Sequence, residues 1–314
     1  MKATLALGLF TAITTLAAGP ALAKPNAPKG APPPPAEPAP APPPPAAPGQ
    51  EANHHQGKTS FWMAADPHVP LAVVQGHKIH SIAAQRGKEC GSEERWAKPK
   101  SHWKAVDAYG QLTGTFEVKG AELYDVTGCH EVQFAPRSGK QGVGLFVSED
   151  SGYKPGKSVQ YSPTLAEQKR FDKFMNVVET AYVDHRPYGK AAPLAKRSMF
   201  FEFEPPKDPN WVERLDGENK RIQRPKRWAV SGGSMMTVSF LNGNGHWKVS
   251  TVKPVLNLAN SYKPVAVFDL DGDGIPEIIY QSSDGPTFAE HVLRLNRETM
   301  SWEEAAESPG GATI

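Results

Sequence analysis

The sequence predicts a mostly β chain, an antiparallel meander with one helix near 163–181. Two observations carry this. Short apolar runs of strand length, separated by Gly, Asn, Asp and Pro, recur from Phe61 onward, and one segment shows helical spacing instead. Runs at 71–74 and 78–83 flank Gln75-Gly76-His77, and 115–118, 131–134, 144–147 and 199–203 follow. The C-terminal third is the most regular, with strands expected at 228–231, 235–241, 247–252, 265–268, 277–281, 290–295 and 301–305. Asn242-Gly243-Asn244-Gly245 between two of them is a hairpin signal, because Asn and Gly accept the positive φ of tight turns. In the helical segment Ser162 is the expected cap and Pro163 suits the first position. Phe171, Phe174, Met175, Val178 and Ala181 then recur on one face, a stripe that reads as core packing.

The other parts of the chain divide by composition. Lys2, an apolar stretch and Ala21-Leu22-Ala23 predict a signal peptide over 1–23, and hence a periplasmic or extracellular protein. No later run is apolar enough for a membrane span. Residues 24–60 form a Pro/Ala-rich linker; the 13 prolines between 25 and 48 leave nothing to bury and predict a solvated polyproline II spacer. Residues 61–314 are the β-rich globular domain, which the polar, charged stretch near 205–227 can divide into two halves. A formal net charge of +2 gives no reason to expect nucleic acid as a partner. Cys90 and Cys129 are the only cysteines, and in an oxidising compartment a single pair is most simply one disulfide. Closing that loop would stabilise the fold by roughly 4 kcal/mol on the chain-entropy model.

The most specific feature is the run Phe-Asp-Leu-Asp-Gly-Asp-Gly-Ile-Pro-Glu at 268–277. Asp269, Asp271 and Asp273 stand at alternate positions, so a tight loop turns their carboxylates inward, and Glu277 follows. Such confined charges repel unless a cation lies among them. An all-oxygen donor set suits Ca²⁺, with the carbonyl of Ile275 as a further ligand. It suits zinc poorly, for no His or Cys is present. An EF-hand would need a bidentate Glu at position 12 and flanking helices; position 12 is Tyr280 and both flanks read as strands.

The run 266–277 resembles the calcium loop of FG-GAP or VCBS-type repeats, the blades of integrin-α-like propellers. The resemblance implies that the loop joins the first two strands of a four-stranded blade. It also implies that Asp269, Asp271, Asp273 and Glu277 are ligands, Glu standing where Asp is commoner. It extends over residues 235–306, where 235–252 resembles the last two strands of a preceding blade. Upstream, Ala105-Val106-Asp107-Ala108-Tyr109-Gly110 echoes the pattern without its acidic ligands. A partial or degenerate β-propeller-like fold is therefore expected, with a β-sandwich using the same loop as the alternative.

No G-x-S-x-G, H-E-x-x-H or Walker-type motif occurs. His68, His77 and His80 could in principle share a transition metal, and Asp184-His185-Arg186 could supply an acid–base pair, but neither has the spacing of a known site. Trp62, Trp103, Trp228, Trp247 and Trp302 read as core rather than as a sugar platform. The expected function is an exported calcium-binding module with a structural or adhesion role at the cell envelope, taking a protein or glycan ligand. The alternative is a secreted hydrolase acting on envelope polysaccharide or phosphoester.

Overall fold

The structure, a computed structural model, describes residues 59–64, 69–81, 97–124, 129–139, 145–183, 197–204, 225–253, 260–284, 287–308 and 311–312. All belong to one compact unit, 51–314. The expected signal peptide, most of the Pro/Ala-rich linker, the stretch 205–224, Asp184-His185-Arg186, His68 and the Cys90–Cys129 pairing lie outside the described residues.

Among the described residues are three antiparallel sheets, one long helix and a short 3₁₀ turn at Glu149–Ser151. Sheet 1 contains β1 (Thr59–Met63), β2 (Pro70–Gln75), β3 (Lys78–Ser81), β4 (His102–Val106), β5 (Leu112–Tyr124), β6 (Cys129–Gly139) and β7 (Leu145–Ser148). Their spatial order is β3-β2-β1-β7-β4-β5-β6. Helix α1 (Leu165–Val183) follows. Sheet 2 is the meander of β8 (Arg197–Glu202), β9 (Arg227–Gly232), β10 (Met236–Leu241) and β11 (Trp247–Lys253). Sheet 3 repeats that plan with β12 (Asn260–Phe268), β13 (Glu277–Asp284), β14 (Thr287–Asn296) and β15 (Ser301–Glu307), while the short β16 (Gly311–Ala312) also pairs with β14. Two successive four-stranded meanders, neither closed on itself, form a partial propeller-like arrangement. β8 and β9, on either side of 205–224, are neighbours in one sheet.

The layers explain the residue pattern. Sheet 3 lies between the other two. Ala266, Phe268, Ile279 and Val292 join the core shared with Trp62, Leu71 and Val147 of sheet 1. Val267, Ile278, Tyr280, Leu293 and Trp302 join the core shared with Phe201, Trp228 and Val238 of sheet 2. A strand covered on both faces must be apolar at consecutive positions, and Glu277-Ile278-Ile279-Tyr280 is buried throughout. The far face of sheet 2 is covered by α1, whose Phe171, Met175 and Val178 pack on Phe200 and Trp247. The five tryptophans named above are 0–6 % exposed and act as core.

Two local expectations need correction. The helix begins at Leu165, after Thr164, and not at Pro163 capped by Ser162. The reason is a capping box: Glu167 Oε2 accepts the Thr164 N–H at 2.9 Å, and Thr164 Oγ1 accepts the Glu167 N–H at 3.3 Å. Glu167 also accepts from Tyr161 Oη at 2.6 Å and pairs with Arg227 Nη1 of β9 at 3.0 Å, which fastens the helix start to sheet 2. The second correction is β4, a strand that the apolar runs did not suggest. Its His102 and Lys104 alternate with buried Trp103 and Ala105, and Lys and Ala are weak strand formers.

A turn closed by an Asp or Asn side chain recurs in all three sheets, with the second and fourth N–H groups bound in the first two and the second and third in the last. Asp107 Oδ1 accepts the N–H groups of Tyr109 and Gln111 between β4 and β5. Asn242 Oδ1 accepts those of Asn244 and His246 between β10 and β11. Asn296 Oδ1 accepts those of Glu298 and Thr299 between β14 and β15. A short polar side chain that satisfies two turn N–H groups replaces the sheet hydrogen bonds lost where the chain reverses.

Candidate metal centre

The loop Asp269–Glu277 joins β12 to β13, and Phe268 pairs with Glu277 at its base. Gly272 (φ +77°) and Gly274 (φ +83°) take the left-handed backbone that closes the loop. Its acidic groups are organised from within. Asp269 accepts the N–H of Gly272 at 2.7 Å and of Gly274 at 2.9 Å. Asp271 Oδ1 accepts from Asp273 N–H at 3.1 Å, and Asp273 Oδ1 from Ile275 N–H at 2.8 Å. Glu277 Oε2 accepts from Leu270 N–H at 2.8 Å. Ile275 is anchored by its side chain in the core between sheets 2 and 3.

Of the five residues singled out in the sequence, the three aspartates converge, and Glu277 stands outside their group. One ligand oxygen from each of Asp269, Asp271 and Asp273 falls within 4.8 Å of the others. That spread fits oxygens around one ion bound at about 2.3–2.6 Å. Glu277 is fully buried, and its Oε1 has no hydrogen-bond partner. A buried carboxylate oxygen left in this state costs free energy unless a cation meets it.

The electrostatics point the same way. Burial, opposed by the N–H of Gly274, pushes the Asp269 carboxyl up to about 6. Burial, with Asp273 adding repulsion and Arg294 opposing it, pushes Asp271 up to about 7. Glu277 is raised well above the usual range by burial and then by the three aspartates. The loop is short of positive charge.

Two arginines that sequence reasoning missed flank it, with His77, which the sequence grouped with His68 and His80 instead. Arg294 Nη2, from β14, lies 2.9 Å from Asp271 Oδ2 and 2.9 Å from Asp273 Oδ2, and its Nε stands 4.0 Å from Glu277 Oε1. Arg297 Nη2 lies 2.9 Å from Asp273 Oδ2. His77, in the β2–β3 turn, places Nδ1 3.1 Å from the carbonyl of Asp271, and its own carbonyl accepts from Arg294 Nη1 at 2.9 Å. His77 therefore meets the acidic loop, while His80 is exposed on β3. The available signal was Arg294 itself, a lone charge in the apolar run His291-Val292-Leu293-Arg294-Leu295, one register step from Ile278↔Leu293 and so opposite Glu277. On the other side of the loop's base, the β4–β5 turn docks on β12, with Val267 N–H donating to Ala108 O at 2.8 Å.

A second polar group lies between sheets 2 and 3. Ser282 Oγ is 2.7 Å from His291 Nε2, and His291 Nδ1 is 3.4 Å from Glu304 Oε2. The His291 ring stacks on Tyr280 at 4.6 Å, and Lys253 of β11 contacts both Glu304 and Tyr280. The nearby His291 ring, 3.4 Å away, and Lys253 hold the Glu304 carboxyl down at about 2, against the effect of burial. His291, Glu304 and Glu307 could also offer ligand atoms to a metal, but Lys253 already supplies a cation to Glu304.

Comparison of the chain with family models, curated proteins and solved structures finds no match. Among the described residues, no helix is long and apolar enough to cross a membrane.

Proposed function

We propose that this is an exported calcium-binding module, periplasmic or extracellular, with a structural or adhesion role toward a protein or glycan ligand at the cell envelope. One observation carries the metal: three aspartates whose oxygens converge to within 4.8 Å, on a loop whose fully buried Glu277 keeps an unpartnered oxygen. The donor set is all oxygen, which suits Ca²⁺. Asp269, Asp271, Asp273 and Glu277 supply side-chain oxygens, and Ile275 its carbonyl. When bound, the ion neutralises the loop and fixes the junction of β12 and β13. The export signal, the Pro/Ala-rich spacer and the resemblance of residues 235–306 to FG-GAP or VCBS-type repeats support the envelope role.

Melting the protein in EDTA and in millimolar calcium tests this. Calcium at 10 to 100 times a Kd of about 10⁻⁴–10⁻³ M stabilises by about 1.4–2.7 kcal/mol, which is several degrees in Tm. The Asp271→Ala protein loses that shift. Equal melting temperatures for the natural protein, or a shift that survives in Asp271→Ala, count against the reading.

A hydrolase is the second reading, and Ser282, His291 and Glu304 favour it, since they stand in the order nucleophile, base and orienting acid. Phosphoester and polysaccharide are the substrate classes. Chromogenic phosphate, ester and glycoside substrates turned over by the natural protein, and not by Ser282→Ala, would establish it. The first reading is preferred because Glu304 shares its charge with Lys253 and Tyr280, as a strut between two sheets does.

A further inference from the structure

Arg294 touches the same carboxylates that the calcium reading assigns to the ion. Asp271 and Asp273 each give Oδ1 to a backbone N–H of the loop and turn Oδ2 toward Arg294 Nη2, at 2.9 Å in both cases. The guanidinium is half-buried, and its Nε is the cation facing the otherwise unpartnered Glu277 Oε1, at 4.0 Å. An ion that draws oxygens from Asp271, Asp273 and Glu277 must share them with this group or move it. The charges fit such an arrangement. The four carboxylates carry four negative charges when ionised, and Arg294 and Arg297 return two of them. The remainder is the charge of one divalent ion.

We propose that Arg294 is the resident cation of the loop: it holds Asp271, Asp273 and Glu277 in place when calcium is away and opposes calcium when it arrives. This rests on the calcium reading above. An acidic loop with no internal cation would repel itself open on losing its metal, whereas this one keeps a guanidinium that hydrogen-bonds Asp273 and forms an ion pair with Asp271. The same guanidinium donates from Nη1 to the His77 carbonyl at 2.9 Å, and the His77 ring meets the Asp271 carbonyl. Calcium entry that shifts Arg294 is therefore transmitted to the β2–β3 turn, a part of sheet 1 more than 190 residues away in the chain. The loop is a metal site and also a joint between sheets 1 and 3.

Titration calorimetry with calcium on the natural protein, Arg294→Met and Arg294→Lys decides the matter. Removing a full positive charge next to a divalent ion tightens calcium binding by about tenfold or more in Arg294→Met. The same variant, in EDTA, melts below the natural protein. Arg294→Lys keeps the charge, and its affinity stays within about threefold of the natural value, so it serves if Arg294→Met does not fold. Hydrogen exchange at residues 70–81 responds to calcium in the natural protein and not in Arg294→Met. Heat from the natural protein with equal or weaker binding by Arg294→Met overturns this proposal alone. With Arg294→Met unfolded, an affinity for Arg294→Lys at least tenfold from the natural value does the same. No heat from the natural protein or from any folded variant overturns the calcium reading along with it.

Discussion

Glu277→Gln is expected to raise the melting temperature in EDTA and to abolish the response to calcium. The two effects have opposite signs because one carboxylate serves two states. In the metal-free loop its charge is fully buried, one oxygen is unpartnered, and three aspartates repel it. An acid whose folded pKa is raised destabilises the fold once the pH exceeds its unfolded value, and the penalty is complete above the folded value. At neutral pH the neutral amide avoids that penalty. Its oxygen still accepts the Leu270 N–H, and a neutral NH₂ takes the place of the unpartnered, charged Oε1. Relief of an uncompensated buried group is worth about 1–3 kcal/mol. With calcium the same change removes a charged ligand from beneath the ion, and affinity falls by about 100-fold or more, roughly 2.7 kcal/mol. Scanning calorimetry of both proteins, each in EDTA and in calcium, reads the four melting temperatures. A Glu277→Gln protein that melts below the natural one in EDTA would mean that Arg294 already neutralises Glu277 at 4.0 Å.

What was legible in the sequence is what is local. Asp269, Asp271, Asp273 and Glu277 declare a loop because their spacing and the two glycines act within nine residues. The hairpins β9–β10–β11 and β12–β13–β14–β15 were legible for a similar reason, since each strand there pairs with the next in the chain. Of the three recurring turns, Asn242 announced itself through Asn-Gly. Asn296 did not, because Asn296-Arg297-Glu298-Thr299 contains no glycine and Met300 takes the positive φ (56°) instead. Non-local facts were hidden. β7 sits between β1 and β4, an order fixed by which apolar faces meet and not by adjacency in the chain. Arg294 and Arg297 reach the acidic loop only through the β13–β14 register, and His77 through the packing of sheet 1 on sheet 3. The anions of the site were thus plain, while its cations left only one faint mark, Arg294 as a lone charge in an apolar run. Thr164-x-x-Glu167 was a local signal passed over in favour of Ser162-Pro163, and there the reciprocal hydrogen bonds decide.

That capping box carries the second large expected effect. Glu167→Gln destabilises the protein at pH 7 and leaves it nearly unchanged at low pH. Hydrogen bonds from Tyr161 and from the Thr164 N–H, and then the Arg227 charge, hold the Glu167 carboxyl at about 2, well below the ordinary 4.5. A lowered folded pKa contributes stability that is complete above the unfolded value and is lost as the pH falls through the folded one. The window is therefore pH 4.5 down to about 2. A depression of this size is worth at most about 3–4 kcal/mol, and the partial exposure of Arg227 to water reduces it to about 2. For a folded body of this size that is about 4–8 °C in Tm at neutral pH. Urea unfolding of both proteins at pH 7, 4.5 and 2.5 gives the comparison, and the two stabilities should converge across that series. Glutamine can still accept the Thr164 N–H, so the capping geometry survives while the charge does not. A difference that persists undiminished at pH 2.5 would locate the effect in the shape of the helix start, and not in the ion pair that joins α1 to sheet 2.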